Sequence, residues 1–79
     1  MSQSVKEIDL HGMNSYQAQI AIEAALRRSW GLYKIRLIHG YHQGTRLRDF
    51  IAMEYQDDPR LTRLEQVTPG ITELHLREL

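Results

Sequence analysis

Two stretches decide how this chain is read: Ile8-Asp9-Leu10-His11-Gly12 and Arg36-Leu37-Ile38-His39-Gly40. Each runs through apolar residues into a His-Gly pair, and each is followed by a segment of helical periodicity. In the first, Ile8 and Leu10 share one face of an extended segment, while Glu7, Asp9 and His11 share the other. That two-residue period predicts a half-buried strand over residues 5–11, ended by Gly12. The second stretch predicts a strand over residues 34–40, with Ile35 and Leu37 on one face and Ile38 opposite.

Between the two lies a helix. Asn14 stands as its N-cap and Gln17, three residues on, completes a capping box. Ala18, Ala21, Ile22, Ala25, Leu26 and Ser29 follow at helical spacing, a narrow stripe of small residues suited to close packing on a sheet. Arg27 and Arg28 favour the negative end of the helix dipole, and Gly31 is the stop. Beyond the second His-Gly, a loop leads to another helix, capped by Gly44 or Thr45, with Leu47, Phe50, Ile51 and Tyr55 on one side. Residues 56–59 break it. An untidily alternating strand over 61–67, a Thr68-Pro69-Gly70 turn and a last strand over 71–77 complete the chain. In that last strand Thr72, Leu74 and Leu76 share one face, and Glu73, His75 and Arg77 the other.

The order is β-α-β-α-β-β, an α/β chain. A helix joins the first two strands, so they should run parallel with a right-handed crossover. A short Pro-Gly turn joins the last two, so they should form a hairpin. The result is a mixed four-stranded sheet with two helices on one face and the other face open or half open.

Bulk properties bound the function. With 79 residues there is room for one domain, residues 1–79, with 1–4 as a frayed tail. A domain this short buries only about 60% of its unfolded surface. The chain has no cysteine and no apolar signal core, and no run approaches the ~18 apolar residues of a membrane span, so a cytoplasmic location without membrane contact is expected. Ten basic and ten acidic residues cancel. Dedicated nucleic-acid binders are strongly basic, so any such binding must come from a local patch.

The His-Gly pairs supply that patch. Parallel strands end on one sheet edge, so both histidines and both helix N-termini converge there. Helix N-termini offer unpaired N–H groups and positive dipole ends, and ligands of open α/β sheets bind beyond the carboxyl ends of the strands. Gly12, Gly40 and Gly44 let the backbone come close to a ligand. Arg46 and Arg48 oppose the dipole in the first turn of the second helix, a placement that a phosphate would explain. Asp9 shares a strand face with His11 and could orient its imidazole; a solvated strand residue or a backbone cap is the plain alternative. One His-Gly pair alone would read as a polar strand end and a turn, and the pairing of two favours function. Trp30 reads as a packing residue. Lys34, Arg36 and Arg77 could form a basic stripe on the open face, or a solvated strand surface. Asp9, His11 and His39 match none of the tight metal-ligand spacings. No structural zinc is indicated, and the cofactor open to this set is a loosely held Mg2+ or Mn2+.

Taken in order, these segments resemble the Smr (small MutS-related) domain family over residues 7–76. Residues 8–12 are similar to that family's Leu-Asp-Leu-His-Gly. Gln17-Ala18 is similar to its Glu-Ala. Ile38-His39-Gly40 with Gly44 and Leu47-Arg48 is similar to its His-Gly-x-Gly and downstream Leu-Arg, and Gly70-Ile71-Thr72 with Leu74 and Leu76 to its closing strand. The resemblance implies a two-layer α/β sandwich, related to the C-terminal domain of a bacterial translation initiation factor. It also implies DNA or RNA binding and, in several members, endonucleolytic nicking. It places Asp9 and His11 at positions implicated in cleavage, and His39, Gly40, Gly44 and Arg48 in the second motif. His42 stands where the family has its second glycine, Tyr41 where a basic residue is common, and the loop from His39 to Leu47 is one residue longer. Tyr41 and His42 could stack on bases, or Tyr41 could anchor the loop on the sheet.

The site expected is therefore Asp9, His11 and His39 for chemistry, with Gly12, Arg36, Gly40, Tyr41, His42, Gly44, Arg46 and Arg48 for nucleic-acid contacts. An endonuclease in which His11 or His39 moves the proton is one reading. A non-catalytic module that grips RNA, a ribosomal surface or a larger protein partner is the other.

Overall fold

The computed structural model describes residues 4–42 and 44–77. Six elements follow in the order expected: β1 (Ser4–Asp9), α1 (Ser15–Arg27), β2 (Leu32–Ile38), α2 (Arg46–Tyr55), β3 (Arg63–Thr68) and β4 (Ile71–His75). Of the tail expected over residues 1–4, residues 1–3 lie outside the described residues, and Ser4 opens β1. The sheet order is β1-β2-β4-β3. β1 runs parallel to β2, as a helical connection requires, while β4 runs antiparallel to both β2 and β3. The hairpin partner β4 thus inserts beside β2, leaving β1 and β3 as the edges.

The register divides the strand residues between two faces. Ile8, Leu37 and Thr72 align across the sheet, as do Lys6, Ile35, Leu74 and Leu64. This face carries the core. Ile35, Leu37 and Leu74 are fully buried together with Ala18, Ile22 and Leu26 of α1 and Ile51 and Tyr55 of α2. Both helices therefore cover one face, and close-packed burial of each Leu or Ile contributes about 1.5–3 kcal/mol. α1 starts where the capping box sets it: Asn14 Oδ1 accepts from Gln17 N–H at 2.8 Å and Gln17 Oε1 accepts from Asn14 N–H at 3.0 Å. A clamp ties the helices at their far ends. Arg60 donates through both terminal nitrogens to Glu23 on α1, each at 3.0 Å, and the buried Tyr55 hydroxyl donates to the same carboxylate at 2.8 Å.

The second face is charged but not open at its centre. Glu7, Arg36, Glu73 and Glu65 form one row across all four strands, and Lys34, His75 and Arg63 form the next. Glu73 is 4% exposed and accepts from Lys34 Nζ at 2.9 Å and from Arg36 Nε at 2.8 Å. Burial would raise its carboxyl, yet these two ion pairs together outweigh burial and hold it below the usual range. The basic stripe that Lys34 and Arg36 could have formed is neutralised from within, because β4 slots Glu73 beside both cations. Trp30 departs from expectation in the other direction. It follows α1 in the turn before β2 and is 95% exposed.

Strand ends also shift. β2 begins and ends two residues earlier than its alternation suggested, and β1 stops at Asp9, so both His-Gly pairs lie just past their strands.

Candidate functional site

The two His-Gly corners meet beyond the carboxyl ends of β1 and β2. Leu10 N–H donates to Ile38 O at 2.8 Å, which carries the parallel pairing to the strand ends. Gly40 takes φ of +73°, a conformation that glycine adopts without strain, and a Cβ there would sit 3.5 Å from His11 Cβ. The Gly70 carbonyl accepts from the N–H groups of both His39 and Gly40, at 2.9 and 3.0 Å, and so binds the second corner to the β3–β4 turn.

Between the corners opens a cavity of about 770 Å3. His11, Gly12, Asn14 and Tyr16 line one side, and His39, Gly40, Tyr41, His42, Gly44 and Arg46 the other. Six of the expected nucleic-acid contacts thus come together, in addition to His11 and His39. Arg46 is exposed and makes no ion pair or hydrogen bond among the described residues. Thr45 is the N-cap of α2, but its hydroxyl donates to Asp49 Oδ2 at 2.8 Å instead of capping the helix. Among the described residues, no side chain therefore caps the first backbone N–H groups of α2 beside Arg46.

The histidines differ sharply. His11 is exposed, and Asp9 Oδ1 accepts both its ring Nδ1–H at 2.7 Å and its backbone N–H at 3.1 Å. The hydrogen bond from the His11 ring holds the Asp9 carboxyl below its ordinary value, and the backbone bond adds to this. With Nδ1 committed as a donor, Nε2 is the nitrogen of His11 left to take or give a proton. His39 is 5% exposed. Its Nδ1 lies 3.0 Å from Gly40 O, which can only accept, so Nδ1 carries the proton. Nε2 then accepts from the Thr72 hydroxyl at 2.9 Å. Burial, the largest influence, keeps the imidazole neutral by lowering its pKa; the Gly40 carbonyl acts the other way and the Arg48 charge adds to the lowering. Both ring nitrogens are engaged, and the ring braces the second corner from below.

Two expected contacts stand apart. Arg36 lies on the second face of the sheet, held by Glu73 and by Glu7 at 3.3 Å, because its register position is level with those glutamates. Arg48 does not line the cavity; its Nε donates to Asp49 Oδ1 at 3.2 Å, and its charge reaches the site through His39. Tyr16 was missed from the sequence. It occupies the second position of α1 and is 71% exposed on the cavity wall; its signal was an aromatic one residue before the N3 member of the capping box. Thr72, the partner of His39, carried no signal, since its contact depends on β4 lying beside β2.

Metal-binding geometry does not form from Asp9, His11 and His39, because His39 turns inward. Among the described residues the group whose ligand atoms fall within 4.8 Å of one another is Glu65, Glu73 and His75, on the second face. His75 pairs with Lys34, at the other end of β2 from the Ile38 that pairs with Asp9, and Lys34 and Arg36 already neutralise Glu73 there. No helix among the described residues is long and apolar enough to cross a membrane.

No protein-family model and no curated protein sequence matches the chain. A solved structure does: the crystal structure of the Smr domain of Thermus thermophilus MutS2 is similar with a TM-score of 0.81 and 29% sequence identity, over 92% of this chain and 99% of that one. At that coverage the likeness in fold supports reading the chain as an Smr-like domain.

Proposed function

We propose that this chain binds nucleic acid at the edge formed by its two His-Gly corners, and that His11, oriented by Asp9, can serve there as a general acid or base in phosphodiester cleavage. The observation that carries the reading is the Asp9–His11 pair at the mouth of a cavity lined by Arg46 and bordered by two helix N-termini. A phosphate at the start of α2 would meet N–H groups and a guanidinium that have no side-chain partner among the described residues. His11 Nε2 could then take the proton of an attacking hydroxyl or water, and the Asp9 carboxylate would stabilise the imidazolium that results. His39 acts here as a positioning residue. The similar MutS2 domain lends the fold-level support.

A binding-only role is the second reading, and His39 favours it. With both its nitrogens bonded, the cavity offers one dyad-supported imidazole where a paired acid and base would be expected. Incubating the chain with labelled single- and double-stranded RNA and DNA, with and without Mg2+ or Mn2+, separates the two. Cleavage lost in both Asp9→Ala and His11→Ala supports catalysis. Salt-sensitive binding without cleavage supports the module. Absence of both at low salt contradicts the nucleic-acid reading.

A further inference from the structure

We infer that the edge takes single-stranded nucleic acid, whose bases stack on a shelf made by Tyr41 and His42; this rests on the nucleic-acid reading above and adds the class of ligand. The two rings lie 4.8 Å apart, centroid to centroid, and 22° from parallel. Both residues are exposed, Tyr41 at 57%, and both line the cavity. A stacked pair still presents an outer π-face to a third ring at ordinary offset-stacking distance. Tyr41 is seated on the β3–β4 turn: a Cβ on the buried Gly70 would lie 3.2 Å from Tyr41 Cδ1 and 3.3 Å from Gly40 Cα. Tyr41 thus both anchors the loop and offers a ring to solvent. Tyr16 provides a second exposed aromatic on the opposite wall.

Charge favours the single strand over the duplex. Duplex binders draw their affinity from many phosphate contacts. Here the chain is neutral overall, and Arg46 is the one Lys or Arg lining the cavity among the described residues. Stacking can replace the missing charge, because every base has a π-face. A duplex hides those faces and releases a base only at the cost of unstacking and unpairing it. An unpaired strand presents them directly.

Fluorescence titration with a short 2-aminopurine oligonucleotide, free and annealed to its complement, tests this on the whole chain. The single strand should bind at least about tenfold more tightly than the duplex. Tyr41→Ala should weaken single-strand binding about 5- to 150-fold, the range for one stacked base, and Tyr41→Phe should recover the loss. The dependence on salt should not change between them, because no phosphate contact is removed. Thermal melting of each variant checks that the fold is intact. Equal affinity for duplex and single strand, or Tyr41→Ala binding like wild type, overturns the shelf while leaving the nucleic-acid reading in place. Absence of binding to either oligonucleotide overturns both.

Discussion

Asp9 Oδ1 accepts two hydrogen bonds from one residue, His11: the ring Nδ1–H at 2.7 Å and the backbone N–H at 3.1 Å. The double contact fixes the ring orientation and its tautomer together. Asp9→Asn keeps the shape but offers an amide that no longer selects the Nδ1–H form. Nitrogen NMR of the imidazole should then change from an Nδ1–H spectrum to a tautomer mixture. If the chain cleaves nucleic acid, the rate should fall by about 10²–10⁴-fold, the usual worth of a positioned acid or base. An unchanged tautomer would show that Asp9 does not orient the ring.

His39 makes stability depend on pH. Burial lowers its folded-state pKa below the unfolded value of 6.5. As pH falls below that value, the unfolded chain takes up a proton that the folded chain refuses, so the stabilisation is complete above it and is lost as pH falls through the folded pKa. Urea unfolding at about pH 7.5 and about pH 5.5 should show a loss for wild type that is smaller in His39→Gln. An equal loss in both would remove His39 as the cause.

The register explains how much of this was legible in the sequence. The echo of residues 8–12 in residues 36–40 correctly signalled parallel strands and a shared edge. Read as an echo, it sets His11 level with His39. The sheet instead pairs Asp9 with Ile38, one residue out of step, which places His39 level with Leu10. A one-residue slip exchanges faces, so His39 joins Leu10 in the interior while His11 stays in solvent. Periodicity along each strand could not reveal this, because it says nothing of alignment between strands. The burial of Glu73 and the capture of Arg36 were hidden for a related reason: both depend on β4 entering beside β2. The capping box at Asn14 and Gln17, a purely local signal, held residue for residue.

Arg46 and Arg36 should separate binding from stability. Arg46 lines the cavity and has no partner among the described residues, so Arg46→Ala should weaken nucleic-acid binding and reduce the log–log salt slope by roughly 0.7–0.9, one phosphate's share. Arg36 neutralises the buried Glu73. Arg36→Ala should therefore lower stability in urea unfolding and leave the salt slope as it was. The reverse pattern would place the ligand on the second face of the sheet.

Glu23 should matter out of proportion to its exposure. It receives Arg60 and the buried Tyr55 hydroxyl, and these bonds hold its carboxyl below the ordinary range, Arg60 contributing most. Glu23→Ala strands the hydroxyl in the core, at a cost of about 1–3 kcal/mol by chemical denaturation. Tyr55→Phe removes the orphan, so the double variant should lose less than the sum of the single losses. Strict additivity would mean that the two groups do not interact.

Amide chemical-shift mapping of the labelled chain with a short single-stranded oligonucleotide locates the binding edge residue by residue. Perturbations should gather at Gly12, Asn14, Gly40, Tyr41, Gly44 and Arg46, where the two His-Gly corners meet. Perturbations centred instead on Lys34, Arg36 and Glu73, or none at saturating oligonucleotide, would contradict it.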